Sequence, residues 1–364
     1  RIRKSLLAVA VSGLLAAPLA HATNGYFMHG YGSKEKGMAG AGVAYNHNDA
    51  MAAATNPAAM AFVDQRVDVG LQIFSPSPRK YTSTGTATNF ADPPPPDGTG
   101  EFTFSIGDGS QSIESENDFF LLPHGAINWL LNDKTTIGLA VYGNGGMNTE
   151  YVGGFASVDS AILDPTMTTP PGTPAQLPGT FGAGTAGINL EQMFFNFNSS
   201  YKLNPRHALG GSLIVVGQRF RAQGLEFFRG FSSDPTNLSG NVNSLSWGLG
   251  AKVGYQGEVA DGVRVGISYQ SKISMSEFDE YKGLFAEGGD FDIPSTYTLG
   301  VSFDVGQSGV IVADYQRINY SDVASIANPF ANIFTCNPNT TPASGAGCLG
   351  ASNGAGFGWE DIGI

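Results

Sequence analysis

Residues 245–256 read Leu245-Ser246-Trp247-Gly248-Leu249-Gly250-Ala251-Lys252-Val253-Gly254-Tyr255-Gln256. Odd positions are apolar, and even ones are small, polar or charged. A period of two places the two sets on opposite faces of a strand. The pattern recurs. Val263, Val265, Ile267 and Tyr269 oppose Arg264, Gly266, Ser268 and Gln270, and Tyr297, Leu299, Val301 and Phe303 oppose Thr298, Gly300, Ser302 and Asp304. Met193, Phe195, Phe197, Tyr201 and Leu203 face away from Phe194, Asn196, Asn198, Ser200 and Lys202. Val67, Val69, Leu71 and Ile73 face away from Asp68, Gly70, Gln72 and Phe74. The apolar faces carry no charge, whereas the opposite faces hold Lys252, Arg264, Asp304, Lys202 and Asp68. A charge at the middle of a bilayer costs ~2–4 kcal/mol, while a wet lumen tolerates it.

A soluble β-sandwich would also alternate, with polar residues outward and denser charge. Connection lengths separate the two. Short ones fall at Asn132-Asp133-Lys134, Asn204-Pro205-Arg206, Ala260-Asp261-Gly262 and Gly306-Gln307-Ser308. Long ones cover about 76–117, 148–188, 224–241, 276–292 and 321–356. Tight turns alternating with long loops mark an outer-membrane barrel, turns periplasmic and loops outside. Tyr201, Tyr255 and Phe303 precede short turns, where an interfacial aromatic girdle belongs. Nine strands are expected, at roughly 66–75, 118–131, 135–147, 189–203, 207–222, 242–258, 263–275, 293–305 and 309–320, with a tenth starting near Phe357. The last stops at Ile364, and an unpaired edge in lipid is costly. The expectation is therefore an all-β transmembrane antiparallel barrel truncated at its C-terminus.

Composition agrees with that class. Of 364 residues 50 are Gly and 24 Phe, and only 14% are charged. Soluble domains run near a quarter charged and about 7% Gly. A net charge of −12 has the wrong sign for a nucleic-acid partner, and 41% hydrophobic content argues against disorder. Arg1, Arg3 and Lys4, an apolar core from Leu6 to Leu19, and Ala20-His21-Ala22 read as a cleavable leader over residues 1–22, so the mature chain would begin at Thr23. No later apolar run is long enough for a membrane helix. Cys336 and Cys348 of an exported chain are expected to form a loop disulfide. The five His are scattered, so neither metal nor cofactor is expected.

Residues 24–65 precede the first strand and are rich in Gly, Ala, Asn and Met. They include Asn24-Gly25-Tyr26-Phe27-Met28-His29-Gly30 and Ala52-Ala53-Ala54-Thr55-Asn56-Pro57-Ala58-Ala59-Met60. This stretch is too apolar to float in the periplasm, and the economical place for it is inside the barrel as a plug. Helix is possible over Asp49–Ala54, with Pro57 ending it. A flexible periplasmic tail is the alternative.

With Gly37-Met38-Ala39-Gly40-Ala41-Gly42 and Asn56-Pro57-Ala58 in the plug, Tyr142-Gly143-Asn144-Gly145-Gly146-Met147-Asn148-Thr149-Glu150-Tyr151 as a third strand, and Trp359-Glu360-Asp361 leading into a late strand, the chain resembles the FadL family of outer-membrane transporters for long-chain fatty acids and, in one branch, aromatic hydrocarbons. The resemblance implies a fourteen-stranded barrel, of which about ten strands lie here, with the plug in its lumen and residues 66–364 as partial barrel. It implies that ligand is caught among extracellular loops, passes to a pocket at the plug's N-terminus, and leaves sideways where the third strand is kinked. Gly143, Gly145 and Gly146 suit that kink. By position, Phe27 lines the pocket, with Met28 beside it.

Two long loops add Leu225, Phe227, Phe228 and Phe231, then Phe278, Leu284 and Phe285, an apolar set that marks binding, with lipopolysaccharide contact or packing of the loops on themselves as the alternative. Arg229 and Lys282 beside them could meet a carboxylate. Arg219 and Arg221 share a face whose direction the alternation leaves open. A general diffusion porin would lack the plug and carry charged ladders. A hydrolase needs a paired Ser and His, and His124 and His207 have no nucleophile motif nearby. The expected partners are a hydrophobic small molecule and outer-membrane lipid, with no nucleic acid and a monomeric barrel.

Overall fold

The computed structural model describes residues 24–76, 78–83, 104–106, 111–159 and 174–364; the leader read over residues 1–22 lies outside them. One antiparallel sheet dominates. Its strands, in chain order, are β1 (Arg66–Phe74), β5 (Phe120–Leu130), β6 (Thr135–Tyr151), β9 (Ala186–Asn204), β10 (His207–Gln223), β11 (Ser244–Ala260), β12 (Val263–Gln270), β14 (Thr296–Val305), β15 (Gly309–Ile318) and β16 (Ile362–Gly363), each paired with the next. This is the up-and-down order of a transmembrane barrel. Among the described residues no helix is long and apolar enough to cross a membrane.

The two faces of the sheet divide as the alternation requires. Val69, Leu245, Trp247 and Leu249 point outward and are more than half exposed. Ser246, Lys252, Gln256, Ser268 and Gln270 point inward and are buried. Arg219 and Arg221 lie on the outward, exposed side of β10. Phe194, which the alternation set on the polar face, is buried on the inner side against Tyr142, ring centroids 5.5 Å apart.

Three expectations change. The loops at 76–117 and 148–188 contain strands: β2 (Lys80–Ser83) pairs with β4 (Gln111–Glu114), and β7 (Phe155–Asp159) pairs with β3 (Phe104–Ile106) and β8 (Pro174–Pro178). Tyr81 lies opposite Ile113, an aromatic and β-branched pair of the kind that holds a hairpin. The strand expected over 263–275 ends at Gln270. Ser271 Oγ accepts the Ala251 N–H there at 3.1 Å, and β13 (Ser274–Met275) turns onto β11. The helix expected over 49–54 is instead Ala52–Thr55, where the Asp49 carboxylate accepts the Met51 N–H at 2.9 Å, and a 3-10 helix Pro57–Phe62 follows.

Residues 24–63 lie against the inner face of the sheet. Asn56, fully buried, ties this segment to itself and to the wall. Its side-chain N–H groups donate to the carbonyls of Val43 at 2.8 Å and Tyr255 at 2.9 Å, and its oxygen accepts the Ala58 N–H at 3.0 Å. Asn56-Pro57-Ala58 rests on Gly210 and Gly254, directly opposed across β10 and β11, where any Cβ would run into Asn56 or the backbone of Pro57 and Ala58. A second opposed pair, Gly266 and Gly300, makes the same bed for Val43. These four glycines of the polar face are therefore places where the segment touches the wall.

Candidate functional site

Charged and polar wall residues hold the segment by its backbone. On β15, one Asp314 oxygen accepts the N–H groups of Gly42 and Val43 at 2.8 and 2.9 Å, and on β1 Asp68 accepts that of Ala50 at 2.8 Å. Ser268 donates to the Thr55 carbonyl at 2.8 Å, and Lys252 donates to that of Ala54. Asn128 donates to the carbonyls of Val63 and Asp64, both at 3.1 Å. Within the segment, Glu35 is the hub. Its carboxylate accepts the Tyr31 N–H and the Thr55 hydroxyl, both at 2.6 Å. Burial still pushes this carboxyl up to about 7. The alternation displayed Lys252 and Asp68 as polar-face residues but could not say what they would hold in the segment, because their partners there are backbone groups.

The wall is broken beside the front of this segment. β5 pairs with the whole of β1, from Arg66 opposite Asn128 to Phe74 opposite Phe120. With β6 it pairs only from Leu130 opposite Thr136 to Gly125 opposite Val141. Pro123, two residues on, has no N–H for a ladder. On its other side β6 gains a residue: Gly143 lies opposite Met193 and Gly146 opposite Glu191, which is a β-bulge. The N-terminal segment enters that bulge. Phe27 bridges to Gly145, the Met28 N–H donates to the Asn144 carbonyl at 2.8 Å, and the Gly146 N–H donates to the Tyr26 carbonyl at 3.1 Å. Gly145 and Gly146 must both be glycine, since a Cβ on Gly145 would run into the Tyr26 carbonyl and one on Gly146 into the Leu190 carbonyl. Gly143 has room, its nearest neighbours being 3.6 and 3.8 Å from where a Cβ would sit.

At this break lies a cavity of about 1040 Å³. Tyr26, Phe27, Met28 and His29 line it from the segment, Leu121, Leu122 and Pro123 from β5, Gly143, Gly145 and Gly146 from β6, and Leu190 and Gln192 from β9. A volume of that size and apolar character takes a small organic molecule. Above it Tyr26 and Phe27 pack against Tyr320, with ring centroids 5.7 and 6.1 Å away, and Tyr26 also packs against Phe291 at 6.1 Å. Lys36 reaches the cavity and makes no ion pair among the described residues. His29 also reaches it, and burial together with the nearby Lys36 holds its imidazole below the ordinary value.

Of the residues singled out from sequence, the structure gathers Phe27, Met28, Gly143, Gly145 and Gly146 on this one cavity. The others lie elsewhere. Phe278 and Phe285 are buried around Phe220, in the aromatic core that also holds Phe291. Phe227 and Phe228 are half-buried in the 3-10 turn Glu226–Phe231. Arg229 of that turn is exposed, and Lys282 is exposed and ion-paired with Asp279 at 2.6 Å. Cys336 and Cys348 are disulfide-bonded beside Phe231. Tyr26, Lys36 and Gln192 were not found from sequence. The alternation marks Gln192 only as an inward polar residue, and nothing local distinguishes the other two.

Residues 13–164 match the family described as outer membrane protein transport protein (OMPP1/FadL/TodX). Among solved structures, the toluene transporter TodX of P. putida superposes with a TM-score of 0.54 at 16% identity, over 81% of this chain and 72% of that one. The toluene transporter TbuX of Ralstonia pickettii gives 0.52 at 18% identity, over 81% and 73%. No curated protein sequence matches the chain. This match to an outer-membrane transport family covers about two-fifths of the chain, residues 13–164, and the two solved transporters share the barrel fold.

Proposed function

We propose that this protein carries hydrophobic molecules passively across the outer membrane. In this reading residues 24–65 are a plug, residues 66–364 the barrel wall, and extracellular loops bearing Phe227, Phe228 and Arg229 make first contact with the ligand. The ligand then settles against Phe27 and Met28 and leaves sideways through the break at Gly143–Gly146. One observation carries it: a single apolar cavity extends from beneath the N-terminal segment into a gap in the wall. A gap that opens toward lipid suits a cargo that dissolves in lipid. A diffusion porin needs a continuous aqueous path, and here residues 24–63 occupy the inner face.

A ligand with a carboxylate is favoured over a bare hydrocarbon by Lys36, which reaches the cavity beside the N-terminal segment; Arg79 and Arg219 also line it, Arg219 already ion-paired with Glu191. Arg229 and Lys282 do not reach it. Charge-assisted hydrogen bonds contribute about 1.5–3 kcal/mol, so Lys36→Ala should weaken oleate binding about tenfold or more. Titrating the purified full-length protein in detergent with radiolabelled oleate and toluene checks this. Toluene binding that ignores Lys36, without saturable oleate binding, would move the cargo to aromatic hydrocarbons. Absence of both would restore the porin reading.

A further inference from the structure

The cavity does not end inside the wall. Besides the inward Leu190, Gln192 and Gln218, it touches the outward residues Met193, Arg219, Leu245 and Trp247. In an intact sheet those two sets are separated by the backbone, so one cavity can reach both only around the broken segment of β6. On the outer face the pairing registers align Gly143 with Met193, Met193 with Gly217, and Gly217 with Trp247, one row across four strands. The neighbouring row on the loop side begins with Gly146 and Glu191 and continues through Arg219 to Leu245, with Glu191 and Arg219 ion-paired at 2.7 Å.

We propose that the row Gly143–Met193–Gly217–Trp247 is a landing on the outer surface, which receives the apolar ligand as it clears the wall. This rests on lateral release as proposed above. The two glycines leave the row low, and Met193 between them is an unbranched, adaptable side chain. Trp247 closes the far end. Its indole lies over Gly217, with ring carbons 3.0 and 3.1 Å from where a Cβ on that glycine would sit. An interfacial tryptophan ordinarily anchors a barrel at headgroup level. Here the ring covers Gly217, and its role in this proposal is to keep lipid acyl chains from filling the mouth. The ion pair bounds the landing on the loop side, so the ligand chemistry that fits is an apolar chain or ring, with any carboxylate directed toward Arg219.

The test compares full-length variants in cells lacking other transporters of this kind, with radiolabelled oleate and toluene as probes. Uptake rate and equilibrium binding to the purified protein are both measured. Gly217→Val fills the landing, and Trp247→Ala opens its end to lipid while Trp247→Phe keeps an aromatic wall. The expected result is an uptake rate at least about threefold lower for Gly217→Val and Trp247→Ala, near parental for Trp247→Phe, with binding unchanged in all three. Trp247 is exposed to lipid, so its variants carry the test should Gly217→Val fail to fold. Parental uptake by both Gly217→Val and Trp247→Ala, with Gly143→Val impaired, would overturn the landing and leave lateral release standing. Parental uptake by all of them would remove lateral release, and the landing with it.

Discussion

Deleting residues 24–65 from the full-length protein should turn a barrel that excludes small hydrophilic solutes into an open pore. Barrels beyond about eight strands enclose more space than inward side chains can fill, and this sheet already has eleven strands. The inward residues are small or polar, Gly210, Gly254, Gly266 and Gly300 among them, so nothing from the wall replaces the segment. The deletion should not unfold the barrel. Its inter-strand ladders do not involve the segment, and the groups it would orphan are Lys252, Asp314, Asp68, Asn128 and Ser268, all of which water can solvate. Tyr26, Phe27 and Met51 also leave the apolar cluster they share with Tyr142, Phe194 and Tyr320, where a lost large side chain costs ~2–5 kcal/mol, but that cost falls on the contact between segment and wall and leaves the inter-strand ladders intact. The effect is close to all-or-none and is read as swelling of vesicles in sugar solutions or as conductance across a planar bilayer. Continued exclusion by a correctly folded deletion would mean that the segment is not what closes the lumen.

Much of the wall was legible because lipid imposes a strict rule. Outward residues within the hydrocarbon band are apolar, with charges such as Arg219 and Arg221 confined to the loop end of β10, so the period of two survives in Leu245–Gln256 without help from the rest of the chain. The failures fall where that rule stops. Beyond the membrane, the strands of Lys80–Ser83 and Gln111–Glu114 obey only their own cross-strand pairs, too short to stand out from loop sequence. Inside the lumen, Phe194 reads as an error in alternation until Tyr142 is seen beside it. The break in the wall was half visible. Glycines in the third strand suggested weak pairing, but the choice among three of them depends on where the Tyr26 and Leu190 carbonyls arrive, which is set by tertiary structure. Lys36 was invisible for the same reason: a lysine four residues before Gly40 reads as surface until a cavity is placed next to it. The loop aromatics were correctly singled out as unusual for a surface, yet Phe278 and Phe285 pack into the core beneath the loops. Apolar residues in a long loop signal burial before they signal binding.

Gly145→Val and Gly143→Val should fail in different ways, though the two glycines lie two residues apart in one strand. At Gly145 the N-terminal segment is in backbone contact, and a side chain there meets the Tyr26 carbonyl with Phe27 Cα 3.1 Å behind it. Backbone on both sides cannot yield as a flexible side chain would. Overpacking of this kind costs ~1–3 kcal/mol even in adaptable cores. The segment must withdraw, taking Phe27 from the cavity and breaking the hydrogen bonds at Asn144 and Gly146. Ligand affinity should fall about tenfold or more, equivalent to ~1.4 kcal/mol, and uptake should fall with it. At Gly143 the nearest groups are Gln192 O at 3.6 Å and Leu122 Cδ2 at 3.8 Å, so a valine fits without moving the segment and its methyl groups fill the gap between β5 and β6. Binding should hold while uptake falls. Equilibrium binding and uptake measured on the same pair of variants separate the two steps. Equal losses of binding in both would tie the break to holding the ligand rather than releasing it, since only a release route can be obstructed without disturbing the bound state.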